Sequence, residues 1–270
     1  MNIRKLLARP KVFNRVFDIS PQLFIQLSQE LKPKWQEAAQ RRKKGEGRER
    51  AEGGGRKLVL SFEEALAMHL LYIRAYAPYV FIGTIFRIDD ATVTRYFQRL
   101  RPIVASKMKK IIIEQIPISQ EEILDLIADA TEQETERRKG SGYSGKKKRQ
   151  TVKTQIVVDV QGRIKHISQS MPGNMHDKKL YDQTGVKADL GDLGYLGTNM
   201  RLPFKSSKLC KLTKKQKKYN LAHSRRRIVV EHVFAHLKQF KILANRFRNN
   251  LAYFNDIFMT VAGLYNMRRV

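Results

Sequence analysis

The sequence predicts an α/β chain preceded by an all-helical part, and three observations carry that expectation. Phe62 to Leu100 is made of short pieces with apolar residues at helical spacing. From Ile123 onward the texture changes to β-branched runs separated by turn residues. Two further helical stretches, around Arg225–Lys238 and Phe254–Met267, close the chain. The expected organisation is an N-terminal arm and basic linker over 1–57, a helical domain over 58–118 and an α/β domain over 119–270.

Taken in order, Ser20-Pro21 reads as an N-cap with proline at the first helical position. Phe24, Leu27 and Leu31 follow at helical spacing, and Pro33 is expected to end that helix. The stretch 41–56 is charged and glycine-rich and reads as a linker. Phe62 to Tyr76 is expected to be helical, with Leu66, Leu70 and Ile73 on one face. Pro78 opens a short second helix, and Asp89-Asp90 caps a third, Ala91 to Leu100. Short helix, tight turn and third helix resemble a helix-turn-helix, with Thr92, Thr94, Arg95 and Arg99 on its groove-facing side. Any three-helix bundle shows the same pattern, so charge has to support the reading.

Charge does support it. Among 270 residues there are 53 Lys and Arg against 25 Asp and Glu, a formal net charge of +28. Such a chain needs a polyanion, and nucleic acid is the first candidate. With 42% apolar residues a packed core is expected rather than disorder. The single cysteine, Cys210, excludes an intrachain disulfide framework and a cysteine zinc site. Met1 to Asp18 has no apolar core of a secretory leader. The most apolar stretch, Ala65 to Phe86, carries His69, Arg74 and Pro78, which argues against a membrane span.

In the second half, Val104 to Ile116 reads as a connecting helix, and Ser119 with Glu122 resembles a capping box. Leu124 to Ala130 reads as a buried strand and Glu132 to Arg149 as a charged loop. Thr151 to Val160 and Ile164 to Met171 complete an expected three-stranded antiparallel meander. A helix is expected over His176 to Gln183 and a further strand over Val186 to Leu193. No Gly-rich phosphate loop of the usual spacings is present.

Three acids stand out against the basic background. Asp129 and Asp192 fall at the ends of expected strands. Glu231 lies on the late helix between Arg227 and Lys238, on one face. Alone, Arg227, Glu231 and Lys238 read first as a solvated salt-bridge ladder. Together, the three carboxylates are the oxygen donors that a two-metal phosphoryl-transfer site needs. Asp189 lies on the same expected strand as Asp192. Regular alternation sends the two to opposite faces, and the glycines after Asp192 favour it as the site residue. His232 and His236 have a zinc-capable spacing but no third ligand nearby, and read as packing or phosphate-facing residues.

Several words in order now carry a resemblance. They are Asp129-Ala-Thr-Glu132, Tyr143-Ser-Gly-Lys-Lys-Lys148, Lys153-Thr-Gln155, Pro172-Gly-Asn-Met-His-Asp177, Asp192-Leu-Gly-Tyr-Leu-Gly197, and the Arg227, Glu231, Lys238 set. Over about Ala128 to Met267 the chain resembles DDE transposases of the IS5/IS4-like insertion-sequence family, with a looser match over Phe62 to Leu100. The resemblance implies an RNase H-like second domain and a catalytic and metal-binding triad of Asp129, Asp192 and Glu231. It implies two Mg²⁺ ions, with Mn²⁺ as substitute, and cleavage followed by strand transfer. Arg95, Arg99, Lys146, Lys147, Lys148, Arg149, Arg227 and Lys238 would hold double-stranded DNA. A homodimer or larger assembly on DNA and a cytoplasmic, nucleoid-associated location are expected with it. Ser224 departs from the family, standing where the Tyr-Arg-Glu-Lys pattern has tyrosine. The span from Asp192 to Glu231 is too short for the large β insertion of some relatives. The competing reading is a DNA-binding regulator, or a decayed transposase, without chemistry.

Overall fold

The computed structural model describes residues 1–43, 58–113, 126–207 and 211–269. Ser119, Glu122, Cys210 and the glycines of the 41–56 stretch lie outside the described residues. The chain forms two compact units, Met1–Met108 with Phe240–Ile242, and Lys109–Gln239 with Leu243–Val270.

The first unit is helical: α1 (Ile3–Leu7), α2 (Pro10–Phe17), α3 (Pro21–Lys43), α4 (Phe62–Ala75), α5 (Tyr79–Phe86) and α6 (Asp90–Ile113). Ser61 and Glu64 form a reciprocal capping box that starts α4. The turn from α5 to α6 is built locally. Arg87 takes a left-handed conformation at the end of α5. Gly83 sits where any Cβ would stand 2.4 Å from the Ile88 carbonyl oxygen, so only glycine lets the turn fold back on α5. Asp89 then accepts hydrogen bonds from the backbone N–H and hydroxyl of Thr92, at 2.7 and 2.8 Å.

Two expected helix ends are not ends. α3 runs through Pro33 and α6 runs through Pro102, absorbing the separate connecting helix expected after Val104. The reason is burial. In α6, Val93, Phe97, Leu100, Val104, Met108 and Ile112 continue one buried stripe past the proline. In α3, Leu27, Leu31 and Trp35 do the same, and the Trp35 ring stacks on Tyr96 with an interplanar angle of 7°. Proline removes one hydrogen bond and costs about 3 kcal/mol. Several buried apolar side chains at about 1.5–3 kcal/mol each outweigh it.

The second unit is a sheet flanked by helices, consistent with the RNase H-like domain that the resemblance implies. Its strands are β1 (Ile127–Glu134), β2 (Gly142–Ser144), β3 (Arg149–Val158), β4 (Ile164–Ile167) and β5 (Met171–Pro172). The expected three-strand meander is replaced by a hub: β3 pairs antiparallel with each of the other four. β1 runs on to Glu134, and β2 occupies part of what reads as a charged loop. The strand expected over Val186–Leu193 does not form. In its place single parallel bridges join Leu190 to Ile127 and to Arg201. Loop segments on both sides leave only one residue in register.

The helices of this part of the chain are α7 (Asp177–Thr184), α8 (Lys214–Leu237), α9 (Lys241–Ala244, whose first two residues belong to the first unit) and α10 (Phe254–Met267), with 3₁₀ turns at Leu193–Tyr195 and Leu251–Tyr253. α8 packs on β1 and on α10, and α10 packs on β4. Asn266 of α10 closes the exposed edge of β4 by accepting from Ile164 N and donating to Ile164 O, at 3.0 and 2.7 Å. Among the described residues no helix is long and apolar enough to cross a membrane.

Candidate active site

A single parallel bridge sets the site. Ile127 of β1 pairs with Leu190, fixed by Ala128 N–H donating to Leu190 O at 2.9 Å and Leu190 N–H donating to Leu126 O at 3.1 Å. Two residues further along each segment come Asp129 and Asp192. Parallel neighbours in register advance together, so both acids arrive at the same end of the sheet. Asp192 caps the 3₁₀ turn by accepting from Gly194 N–H at 2.8 Å. Asp189 goes elsewhere, into an ion pair with Arg201. Behind the acids Leu126, Ala128, Val157, Ala188, Tyr195 and Met200 form a buried apolar floor.

The acids open on a cavity of about 430 Å³. Asp129, Glu132, Asp177 and Asp192 line it, with Lys146, Lys147, Lys153, His176, Phe234 and Lys238. Burial pushes the Asp129 carboxyl up to about 6, Arg227 and the Ala130 N–H pull it down, and the nearby Asp192 and Asp177 push it up again. Arg227 Nη2 lies 3.2 Å from Asp129 Oδ2. Lys238 is held below the ordinary lysine range by desolvation at the cavity wall and then by the nearby Lys147. Like charges are thus crowded on each side: carboxylates around Asp129, ammonium groups around Lys147 and Lys238.

Helix geometry explains the cationic side. Thr213 and Gln216 form a capping box at the start of α8, and Lys238 is its C-cap. Arg227, Phe234 and Lys238 recur near helical spacing on the face toward β1. Glu231 lies on the same face, one turn past Arg227, yet its side chain is exposed and does not line the cavity. Among the described residues no three His, Cys, Asp or Glu side chains are gathered closely enough to hold a metal ion.

The other expected residues fall in several places. Lys146, Lys147 and Lys148 form the turn between β2 and β3, but only the first two line the cavity. Lys148 closes that turn with φ 51°. Arg149 is ion-paired to Glu134 at 2.5 Å. Ser224 is exposed on α8. His236 lies against the Tyr265 ring at 5.8 Å, and His232 is exposed. In the first unit Arg95 and Arg99 share a groove with Thr84, Arg87, Asp89 and Thr92, at the turn into α6. Thr94 is not part of it and donates back to Asp90 O at 3.0 Å.

Of three further cavity residues, Lys153 has no role legible in the sequence, and the His176-Asp177 pair reads there equally as a neighbour of the site and as a helix cap. Lys153 of β3 is almost buried and lies 2.8 Å from Asp177 Oδ1 and 3.5 Å from Glu132 Oε1, while donating to Met175 O at 2.7 Å. His176 stands at the N-cap position of α7, without a side-chain cap bond, and Asp177 opens that helix. The signal was present in the words that contain Glu132, Lys153 and Asp177. Only the register of β1 on β3, which pairs Glu132 with Lys153, shows that they meet.

Gly194 fits tightly among these acids. A Cβ there would stand 2.5 Å from Asp177 Oδ2 and 2.9 Å from Asp192 Oδ1. Glycine is therefore needed for the two carboxylates to approach the same point.

Comparison with known proteins gives a consistent result. Residues 128–266 match the family model described as DDE superfamily endonuclease. Residues 58–110 match the helix-turn-helix of DDE superfamily endonuclease. The chain is 34% identical over 230 residues to a probable transposase for insertion sequence element IS702 from Microchaete diplosiphon, covering 78% of this chain and 82% of that one. It is 25% identical over 197 residues to a putative transposase for insertion sequence element IS112 from Streptomyces albus G, covering 70% and 73%. No solved structure matches.

Proposed function

The chain belongs to the DDE superfamily endonucleases, and from that premise we propose that it is a transposase that binds the ends of its own insertion sequence and cuts and joins DNA there. The sequence words from Asp129 to Lys238 favour an IS5/IS4-like member. The observation that carries the reading is one cavity in which Asp129 and Asp192 face Lys146, Lys147 and Lys238. Oxygen donors for a divalent cation stand beside ammonium groups for a phosphate.

The donor chemistry suits such a cation, with two of the three expected acids lining the cavity. The donors are hard carboxylate oxygens, and a divalent charge would favour the ionised Asp129 against the burial, and then the nearby Asp192 and Asp177, that push it up to about 6. Asp129 and Asp192 would hold it, with Glu231 as the third ligand. Glu231 follows Arg227 by one helical turn on the face that carries Phe234 and Lys238. When bound, two Mg²⁺ ions, or Mn²⁺ in their place, supply Lewis-acid charge at the attacking and leaving oxygens. The protein's own side chains orient and position. Arg227 favours the charged form of Asp129 against its burial and contacts it from α8. Lys146, Lys147 and Lys238 hold the phosphodiester, while Lys148 and Arg149 extend the basic edge along the backbone.

In this reading residues 58–118 read double-stranded DNA through Arg95 and Arg99, residues 119–270 carry out the chemistry, and residues 1–57 form an arm and linker. Two element ends must meet, so a homodimer or larger assembly on DNA is part of the proposal. A cytoplasmic, nucleoid-associated location follows from the partner.

A second reading, a DNA-binding protein without chemistry or a decayed transposase, is favoured by one observation. Glu231 stands outside the cavity that holds the other two acids. Incubating the full chain with its gene's flanking DNA and Mg²⁺ or Mn²⁺ separates the two. The transposase reading expects cleavage at the element ends by the native chain, and binding without cleavage by Glu231→Gln. Binding without cleavage by the native chain would establish the second reading.

A further inference from the structure

The positive charge of this chain is not spread evenly. Between Asp192 and Glu231 lie 38 residues with 11 Lys and Arg and no Asp or Glu. The first half of α8 carries much of that excess, and Lys214, Lys215, Lys217, Lys218 and Arg225 are all exposed there. With 3.6 residues per turn, Lys214, Lys218 and Arg225 fall in line, in a row about 16 Å long. Arg227, which contacts Asp129, and Phe234, which lines the cavity, lie on the opposite side of the same helix. One helix therefore turns one side to the acids and the other to a row of cations. Among the described residues, none of Lys214, Lys218 and Arg225 is paired with a carboxylate. Lys214 and Lys218 stand one turn apart, where like charges repel, and the first turn of α8 contains no acid. Before Val230 only His223 is buried, so little apolar packing offsets that repulsion. This half of the helix is nevertheless anchored. Asn220 accepts from Phe204 N–H at 2.8 Å and donates to Phe204 O at 3.0 Å. The Phe204 ring meets Tyr219 edge-on at 5.2 Å, and His223 Nε2 lies 2.9 Å from Arg201 O.

An anchored row of unpaired cations fits a polyanion of matching charge density. Duplex DNA carries one negative charge about every 1.7 Å of its axis, so a row of this length meets several phosphates. Lysine presents a point charge on a flexible stem, which holds a phosphate and reads no base. A phosphodiester in the cavity lies on the far side of α8, so the outer cations address a different segment of DNA. We propose that the outer side of α8, through Lys214, Lys218 and Arg225, binds the backbone of a second duplex, the one that receives the cut end, whatever its sequence. This rests on the reading of the cavity as a site that cuts and joins DNA. A surface that reads charge and not bases suits a recipient, because only the element's own ends have to be recognised by sequence.

The test uses the full chain in EDTA, so that no cutting occurs. The chain is saturated with a labelled duplex of the gene's flanking end and titrated with a second duplex of scrambled sequence carrying another dye. The anisotropy of each dye is followed. The native chain is expected to take up the scrambled duplex while keeping the end duplex. The triple variant Lys214→Gln, Lys218→Gln, Arg225→Gln should bind the scrambled duplex at least about 10-fold more weakly, with a salt slope smaller by about 2 to 3, since each phosphate contact contributes about 0.9. Its affinity for the end duplex should stay within about 2-fold of native. Glutamine is a good helix former, so these exposed positions keep the fold. A control variant removes the same charge elsewhere in the second unit, at the exposed Lys139, Arg163 and Lys187, each to Gln, and should keep the native uptake. Unchanged uptake in the α8 variant overturns the inference. An equal loss in the control also overturns it, because net charge and not the row would then be the cause. So does a native chain that takes up a second end duplex but no scrambled one, or an α8 variant whose sedimentation shows a lost dimer while uptake persists, since the row would then meet another copy of the chain. Failure of the native chain to bind even the end duplex sinks the DNA-cutting reading itself, a result distinguishable from the others.

Discussion

Asp129 and Arg227 are 98 residues apart in the chain and 3.2 Å apart in the fold, joined by the packing of α8 on β1. The guanidinium opposes the burial that pushes Asp129 up, and it fixes the direction of the carboxylate. Arg227→Gln removes the charge and keeps most of the stem. Cleavage is expected to fall about 10- to 100-fold, as for other partners that orient a ligand. Mn²⁺ affinity, followed by titration calorimetry, should weaken with it while binding of end DNA persists. Unchanged cleavage and unchanged Mn²⁺ affinity would show that the pair is only structural.

Asp189 and Asp192 form a paired test. Asp192 lines the cavity, and Asp189 is engaged with Arg201. Asp192→Asn should abolish metal-dependent cleavage of end DNA. Asp189→Asn should leave cleavage near the native level and lower the thermal midpoint slightly, because Arg201 is half exposed and such pairs contribute about 0–1 kcal/mol. Loss of cleavage in the Asp189 variant alone would reverse the assignment.

Gly194→Ala asks whether the approach of two carboxylates matters. The added methyl would stand 2.5 Å from Asp177 Oδ2 and must displace Asp177, Asp192 or both. Cleavage should drop at least 10-fold, with far-UV circular dichroism unchanged. Native-level cleavage would mean that the acids need not share that space.

His69 gives the first unit a pH dependence. It is buried against Phe97, and burial, with help from the Arg101 charge, lowers it from 6.5 to about 3. The unfolded chain therefore binds a proton below about 6.5 that the folded chain refuses until about 3. This contribution to stability is fully present above 6.5 and is lost as pH falls, by about 1.4 kcal/mol per unit within that window. Trp35, the chain's single tryptophan, is buried in the same unit and reports its unfolding. Urea midpoints followed by Trp35 fluorescence should fall between pH 6.5 and 5 in the native chain and fall less in His69→Leu. Equal slopes would remove His69 as the cause.

What the sequence determined by itself was local or compositional. Helical spacing placed Phe62–Ala75 and the last helix, Phe254–Met267, because each carries its own apolar period and its own ends. Net charge pointed to a polyanion, and the words around Asp129 and Asp192 marked the acids. The tertiary structure decided whatever depends on partners distant in sequence. Whether Pro33 and Pro102 break their helices depends on what the next turn is buried against. The segment before Asp192 has strand-like residues, yet it is held by one parallel bridge whose partner, Ile127, lies far upstream. That bridge, and not any local pattern, brings Asp192 level with Asp129. The same applies to Glu132, Lys153 and Asp177, which meet only because β1 registers on β3 and α7 begins beside them. Spacing on one helix put Arg227, Glu231 and Lys238 on a common face. Only packing distinguished the two that reach the cavity or its acids, Arg227 and Lys238, from Glu231, which stays in solvent, because a helical face is wider than the contact it makes.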